Sequence, residues 1–474
     1  MPQLRRILVQ NCYYLYRYST KLPNTQVRAN RVKEEQPIGL SSIAIVGGLI
    51  LAYALVSNRL EGTLLTAPLL FVSFGFLAGP DGLELLSIEV EHSAIHVIAE
   101  LTLILILFTD AARIDLKRVR QDHNLPSRML LIGLPLVIAA GTFTAVALFP
   151  AFSIWEAALL AALLAPTDAA LGQAVLSAKI VPLRIRQAIN IESGLNDGIA
   201  LPAVLLFAAM AGVAQASNDA GGWLQFGLMQ VTLGPLVGAV IGYAGARLID
   251  RAVERAWATT AFQGIGILSL SILAYVLAEM IGGNGFISAF VAGIVFGNFI
   301  QHPCTYLFEF MESEGQLLML ITFLVFGAAL LPEGLAHIDA RIVAYALLSL
   351  TVIRMLPIAL ALLGSGIRLP TYLFLGWFGP RGLASILFVL LILEEVEIPH
   401  HAEILSITVI TVALSVLLHG ISAAPLANLY GRLAGRMGEC EEGKPVSDMP
   451  LRKGTVNGEA QGLAGLSRQG RRSR

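Results

Sequence analysis

The chain has 474 residues, of which 56% are hydrophobic and only 14% are charged, and its mean hydropathy is +0.72. A soluble domain carries about a quarter charged residues, so a water-soluble globule, a disordered chain, a collagen, a coiled coil and a secreted disulfide framework are all excluded. The net charge of -1 leaves no basic face for a nucleic acid, and Cys12, Cys304 and Cys440 are too scattered for metal spacing or a bridge framework.

What remains is an all-α integral membrane protein that crosses the bilayer many times. A hydrocarbon core about 30 Å thick needs roughly 20 apolar residues per helix. Thirteen stretches qualify: 38–57, 63–79, 94–110, 128–149, 154–178, 185–212, 223–249, 260–281, 285–300, 313–331, 340–364, 370–393 and 402–425. The second and ninth are short, so twelve spans also fit. The runs are continuous rather than alternating, which disfavours a β-barrel.

Basic loops set the orientation. Arg113, Lys117, Arg118 and Arg120 follow span 3, Lys179, Arg184 and Arg186 lie between spans 5 and 6, and Arg247, Arg251 and Arg255 end span 7. Even numbers of spans separate these clusters, so all three face the cytoplasm. Acidic residues mark the opposite side: Asp81, Glu84, Glu89 and Glu91 before span 3, and Glu394, Glu395 and Glu397 after span 12. Thirteen spans then put the N-terminus outside and the C-terminus in the cytoplasm, in a cell membrane. The seven basic residues before Pro37 run against the same rule, and that segment lacks the apolar stretch of a signal peptide. The expected organisation is a polar basic segment over 1–37, a transmembrane domain over 38–430 and a solvated, disordered tail over 431–474.

Ionisable groups at mid-bilayer are costly unless paired or wetted, so they mark function. Glu100, Asp168, Glu192, Asp197 and Arg354 fall well inside spans, whereas Glu156 and Glu279 lie near span ends and read as interfacial. In span 5, Pro166 lacks an N–H and should break the helix beside Asp168. Such a break is tolerated in lipid only where the freed backbone is buried or lines a cavity. In span 6, residues four apart share a face, so Ser193 stacks with Asp197 and Glu192 with Asn196. These are hard oxygen donors, suited to Na⁺ or K⁺. Gly379, Pro380 and Gly382 should break span 12 around Arg381. Two interrupted helices in corresponding places point to an inverted-repeat transporter with a site near the midplane.

At these motifs the chain resembles the monovalent cation/proton antiporters of the sodium/proton exchanger branch, of the bacterial and archaeal NhaP type. The matching pieces are Pro166-Thr167-Asp168, Glu192 through Gly198, Gly283 through Phe286 with Val291-Ala292-Gly293, and Trp377 through Gly382. They occur in family order within a similarity spanning about residues 40–430. The resemblance implies thirteen spans with two broken crossing helices (spans 5 and 12), a homodimer and no cofactor. It implies that Asp197 binds ion and proton, that Asp168 is a second acidic ligand, and that the Thr167 backbone and Ser193 add oxygens to a Na⁺ site. It further implies that Asn196 ties two helices through Thr167, that Arg354 pairs with Glu192, and that Glu100 is a third acidic group near the ion. Two positions depart from the family pattern: Ala169 follows Asp168 where Pro is usual, and Pro380 precedes Arg381 where a small or apolar residue is frequent.

The expected activity is therefore exchange of Na⁺ or Li⁺ for H⁺ by alternating access. A buried carboxylate holds a proton or a cation, and competition for one site couples the two fluxes. Related electrogenic antiporters carry Asp-Asp where this chain has Asn196-Asp197, which implies electroneutral exchange. K⁺/H⁺ exchange on the same scaffold and a cation channel are the alternatives. An enzyme is not expected: the Tyr-Asp partner of an intramembrane aspartyl protease is missing, and most histidines fall in loops or near span ends.

Overall fold

The computed structural model describes residues 40–60, 63–86, 92–116, 124–213, 220–301, 305–396, 398–437 and 441–443. The basic segment over 1–37, the basic residues Lys117, Arg118 and Arg120, and the tail from residue 444 lie outside the described residues. Every one of the thirteen apolar stretches contains helix, and no strand occurs among the described residues. In chain order the helices are α1 Leu40–Leu60, α2 Ala67–Ala78, α3 His92–Ala112, α4 Asn124–Leu148, α5 Ile154–Leu163, α6 Gln173–Ser177 and α7 Leu183–Val213. There follow α8 Ala220–Glu254, α9 Thr260–Met280, α10 Gly285–Phe299, α11 Thr305–Val325 with its continuation Leu331–Ala336, α12 Ala340–Leu350, α13 Val352–Ala361, α14 Leu369–Trp377, α15 Leu383–Glu395 and α16 His401–Gly435. Among the described residues, eight helical segments are long and apolar enough to cross a membrane, and α2, α5, α10 and α15 are shorter apolar helices.

Side chains sort as a bilayer demands. Leu55, Leu131 and Phe143 are each more than two-thirds exposed, the arrangement that lipid rather than water solvates. The interior is closed by Phe71, Phe108, Phe296, Phe323 and Phe388. Where two helices must come closest, glycine lets them. Gly234, Gly238 and Gly242 form one stripe of α8, and a Cβ on each would come within 2.8, 2.3 and 2.4 Å of the backbone oxygens of Asn284, Ser288 and Ala292 along α10. In lipid, packing at this range substitutes for the hydrophobic drive that water would supply.

Several spans are interrupted. The fifth ends its first helix at Leu163, runs without helix past Pro166 and Asp168, and resumes as α6. The twelfth breaks between Trp377 and Leu383. A third break, in the eleventh span, has no proline or glycine at it: Thr351 separates α12 from α13, and its hydroxyl donates to the Leu347 carbonyl at 2.6 Å. Back-bonding of this kind bends helices. Two π turns, Met129–Gly133 in α4 and Phe326–Leu330 after α11, each contain the residue four before a proline, Pro135 and Pro332. The proline supplies no N–H to that carbonyl, and the turn widens.

Residue 430, where the transmembrane domain is expected to end, falls inside a helix. Helix α16 continues to Gly435, and Glu441–Gly443 pack back onto the bundle. Buried Glu442 accepts from the Arg368 N–H at 2.7 Å and the Thr371 hydroxyl at 2.8 Å, which caps the N-terminus of α14. Arg184, in the first turn of α7, meets Glu441 at 2.8 Å. The first part of the polar tail is therefore docked, because it offers carboxylates to one helix end and one arginine.

Candidate ion-exchange site

The two breaks of spans 5 and 12 cross, and each answers the charge of the other. The N–H of Asp168 donates to the Pro380 carbonyl at 2.8 Å. One Asp168 oxygen accepts from the Ala170 N–H at 2.7 Å, and the other from the Leu383 N–H at 2.9 Å. Leu383 is the first residue of α15, so the carboxylate sits at the positive end of that helix. In the reverse direction Arg381, fully buried, donates to the carbonyls of Ala165 and Pro166, beyond the C-terminal end of α5. Gly382 permits the approach, since a Cβ there would lie 2.1 Å from the Asp168 Oδ2.

Helix α7 packs beside the crossing with two functional stripes. Ser193 and Asp197 face a cavity of about 430 Å³, together with Asp168. Asn196 points instead to the protein, where its amide donates to the Thr167 hydroxyl at 2.6 Å, and Thr167 lies 3.1 Å from the Ser193 hydroxyl. Glu192 reaches Arg354 on α13 at 2.6 Å, with both side chains at most 2% exposed. The i, i+4 geometry thus divides labour on one helix: one stripe addresses the cavity and the other holds neighbouring segments.

The cavity runs from Asp168 and Asp197 to Asn58 at the end of α1 and to Asp110 and Arg113 at the end of α3. Gln173 and Ser177 of α6 add polar walls. Glu100 is not among the residues lining it. It lies ten residues before Asp110 on the same helix, about 15 Å along the axis, and sits close enough to Glu279 for their charges to interact. Its nearness to the ion is what the family resemblance alone implies. Thr167 does not line the cavity either, and its hydroxyl is engaged by Asn196 and Ser193.

The model of the family described as sodium/hydrogen exchanger, transmembrane, matches residues 45–429. The chain belongs to this family. Among its relatives, the exchanger is 24% identical over 400 residues to a K(+)/H(+) antiporter NhaP2 of Shewanella sp. strain MR-4, covering 82% of this chain and 67% of that protein. It is 29% identical over 354 residues to the Na(+)/H(+) antiporter NhaP of Pseudomonas aeruginosa, covering 68% and 78%. Its fold is that of the sodium proton antiporter MjNhaP1 from Methanocaldococcus jannaschii, with a TM-score of 0.68 at 18% identity over 82% of this chain and 98% of that one. The exchanger is thus a multi-pass membrane transporter built on the antiporter fold, and its family is one of transporters rather than enzymes.

Sequence reasoning did not find Asp110, Gln173 and Ser177 in the exchanger. Asp110 stands where span 3 meets its basic loop and reads as a boundary residue. Gln173 and Ser177 lie past the span 5 break, on a short helix whose direction depends on tertiary packing. Among the described residues no group of three or more His, Cys, Asp and Glu side chains is arranged to hold a metal ion.

Proposed function

We propose that the exchanger moves Na⁺ or Li⁺ against H⁺ through Asp197, with Asp168 and the Ser193 hydroxyl completing the ion's oxygen ligands. The observation that carries this reading is the charge balance at the crossing. Arg354 and Arg381 supply two positive charges, and Glu192, Asp168 and Asp197 supply three negative ones. Buried charges resist imbalance, so the site favours holding one monovalent cation or one proton, and not both. Binding of either displaces the other, and an empty site retains an unbalanced charge that opposes crossing.

The chemistry follows from this count. With the cavity open, an ion entering past Asp110 meets a protonated Asp197, replaces the proton and leaves the core neutral. Rocking of one bundle against another then presents the loaded site to the opposite side. Return with a proton is equally neutral. One cation therefore moves per proton, without net charge transfer. The cavity opens at the end of the bundle that carries Arg113, which by the positive-inside rule is cytoplasmic. The same rule puts the docked C-terminal segment in the cytoplasm of a cell in whose membrane the protein resides, and it works as a homodimer.

K⁺/H⁺ exchange is the second reading, favoured by the NhaP2 relatives, because oxygen ligands alone do not fix the size of the ion. The test is relief of a pH-gradient dye signal in everted vesicles on adding Na⁺, Li⁺ and K⁺ in turn. Wild type should respond to Na⁺ or Li⁺, and Asp197→Asn should be silent to all three. A response to K⁺ alone replaces the substrate, and no response from folded protein refutes exchange. In sealed proteoliposomes the Na⁺-driven proton flux should not change with an imposed membrane potential.

A further inference from the structure

One buried titratable side chain has no part in the site as described: His419, midway along α16 and 1% exposed. It lies one helical turn from Ser415, so the two share a face. The Ser415 hydroxyl oxygen accepts from the Arg381 N–H at 2.7 Å. His419 Nδ1 lies 3.1 Å from that same oxygen, and Nε2 lies 3.0 Å from the carbonyl of Trp377, the last residue of α14. The two ends of this chain fix its direction, because the Arg381 N–H can only donate and the Trp377 carbonyl can only accept. Between them the Ser415 hydroxyl donates to Nδ1, and Nε2–H donates to the carbonyl. The Ser415 carbonyl also lies 3.0 Å from Nδ1, but the Nδ1–H tautomer that would use it turns an Nε2 lone pair against the Trp377 oxygen. Trp377 is anchored a second time: its indole lies 5.0 Å from the imidazole and donates to Ser422 at 3.0 Å.

Trp377 ends the helix before the span 12 break, and Arg381 lies within the break, two residues before α15. Helix α16 therefore bolts the start and the middle of the non-helical link to a single turn of regular helix. We infer that Ser415 and His419 are positioning residues for ion exchange, fixing the non-helical link so that Arg381 stays on the carbonyls of Ala165 and Pro166 and the α15 N-terminus stays on Asp168. The inference rests on the exchange reading above.

The test uses the full chain in proteoliposomes, comparing wild type with His419→Gln, His419→Asn and Ser415→Ala. A glutamine amide reaches the place of imidazole Nε2 and keeps the bond to Trp377, whereas an asparagine amide reaches only the place of Nδ1. Misplacing a reacting group by about 1 Å costs up to about a hundredfold in rate. His419→Asn and Ser415→Ala should therefore lose about tenfold in maximal rate and raise the half-saturating Na⁺ concentration about threefold, with the melting temperature within about 3 °C of wild type. His419→Gln should stay within about threefold of the wild-type rate. Equal behaviour of the Gln and Asn variants, or losses that follow the melting temperature alone, would overturn the positioning role and leave exchange intact. Failure of wild type to exchange any alkali cation would overturn both readings.

Discussion

Arg354 and Arg381 are buried near one another in the core, yet Arg354 answers a carboxylate and Arg381 answers the end of a broken helix. The difference decides what each leaves for the ion. Arg354 is matched by Glu192 and adds no net charge. Arg381 donates to two carbonyls and feels the Glu192 carboxylate only at longer range, so most of its positive charge remains to offset one of the two aspartates. The ion site is then short of one positive charge, which is what a Na⁺ or a proton brings. One arginine serves the architecture, and the other sets the charge of the exchanged species.

The largest effect should come from splitting the matched pair. Glu192→Gln leaves the Arg354 guanidinium buried without its counter-charge, and breaking such a pair costs about 3–5 kcal/mol. Thermal unfolding in detergent should show this as a marked loss of stability, while any protein that stays folded keeps its apparent Na⁺ affinity. Replacing both partners with apolar residues, Glu192→Leu with Arg354→Met, should recover most of the loss. A Glu192→Gln variant of wild-type stability with altered Na⁺ affinity would make Glu192 a ligand and erase the contrast between the arginines.

Arg381 should behave in the opposite sense. Arg381→Met leaves two neutral carbonyls without this donor but breaks no ion pair, so it should destabilise less than Glu192→Gln, which strands a buried guanidinium. Its effect on transport should be greater, because one positive charge is then lost beside the aspartates. Arg381→Lys keeps the charge but not the fork, and should retain electroneutral exchange at a lower rate. Unchanged exchange in Arg381→Met would break the charge count.

A smaller effect sharpens the other half of the comparison, in which acids answer helix N-termini. Glu442 caps α14 from the tail much as Asp168 caps α15 from the crossing. Glu442→Ala should cost about 1 kcal/mol, the usual worth of a lost N-cap, and ending the chain after Met437 should reproduce that loss. A larger loss on truncation would assign further stabilisation to Glu441 and its bond to Arg184.

The sequence made the spans and two of the breaks readable because their causes are local. Long apolar runs, Pro166 and the Gly379–Gly382 motif need no partner to be recognised. The Glu192–Arg354 pair is different: its members lie 162 residues apart, no periodicity joins them, and only family resemblance suggested it. The break at Thr351 escaped because threonine inside a helix is no breaker unless its hydroxyl bonds backward. His419 carries no local signal in the sequence, and its burial depends on packing midway along α16, which runs 35 residues. Glu442 looked solvated because its partner is a helix end on another part of the chain.

The smallest effect tests a cap that is local and wet. Asp339 precedes α12 and accepts from the Ile342 N–H at 2.8 Å, and its other oxygen meets Arg341 at 2.9 Å. The Ile342 hydrogen bond, followed by Arg341, holds its carboxyl below the usual carboxylate range. A carboxyl whose folded pKa is lowered contributes stability above its unfolded value, near pH 4, and loses it as pH falls through the folded value. Asp339→Ala should therefore cost about 0.5–1 kcal/mol at neutral pH, the low end for an N-cap because solvent and salt screen the exposed Arg341 pair. The gap from wild type should shrink below about pH 4 as the wild-type carboxyl takes up its proton. A gap that persists at lower pH would mean that the cap acts through its shape and not its charge, and would separate Asp339 from the charged caps at Asp168 and Glu442.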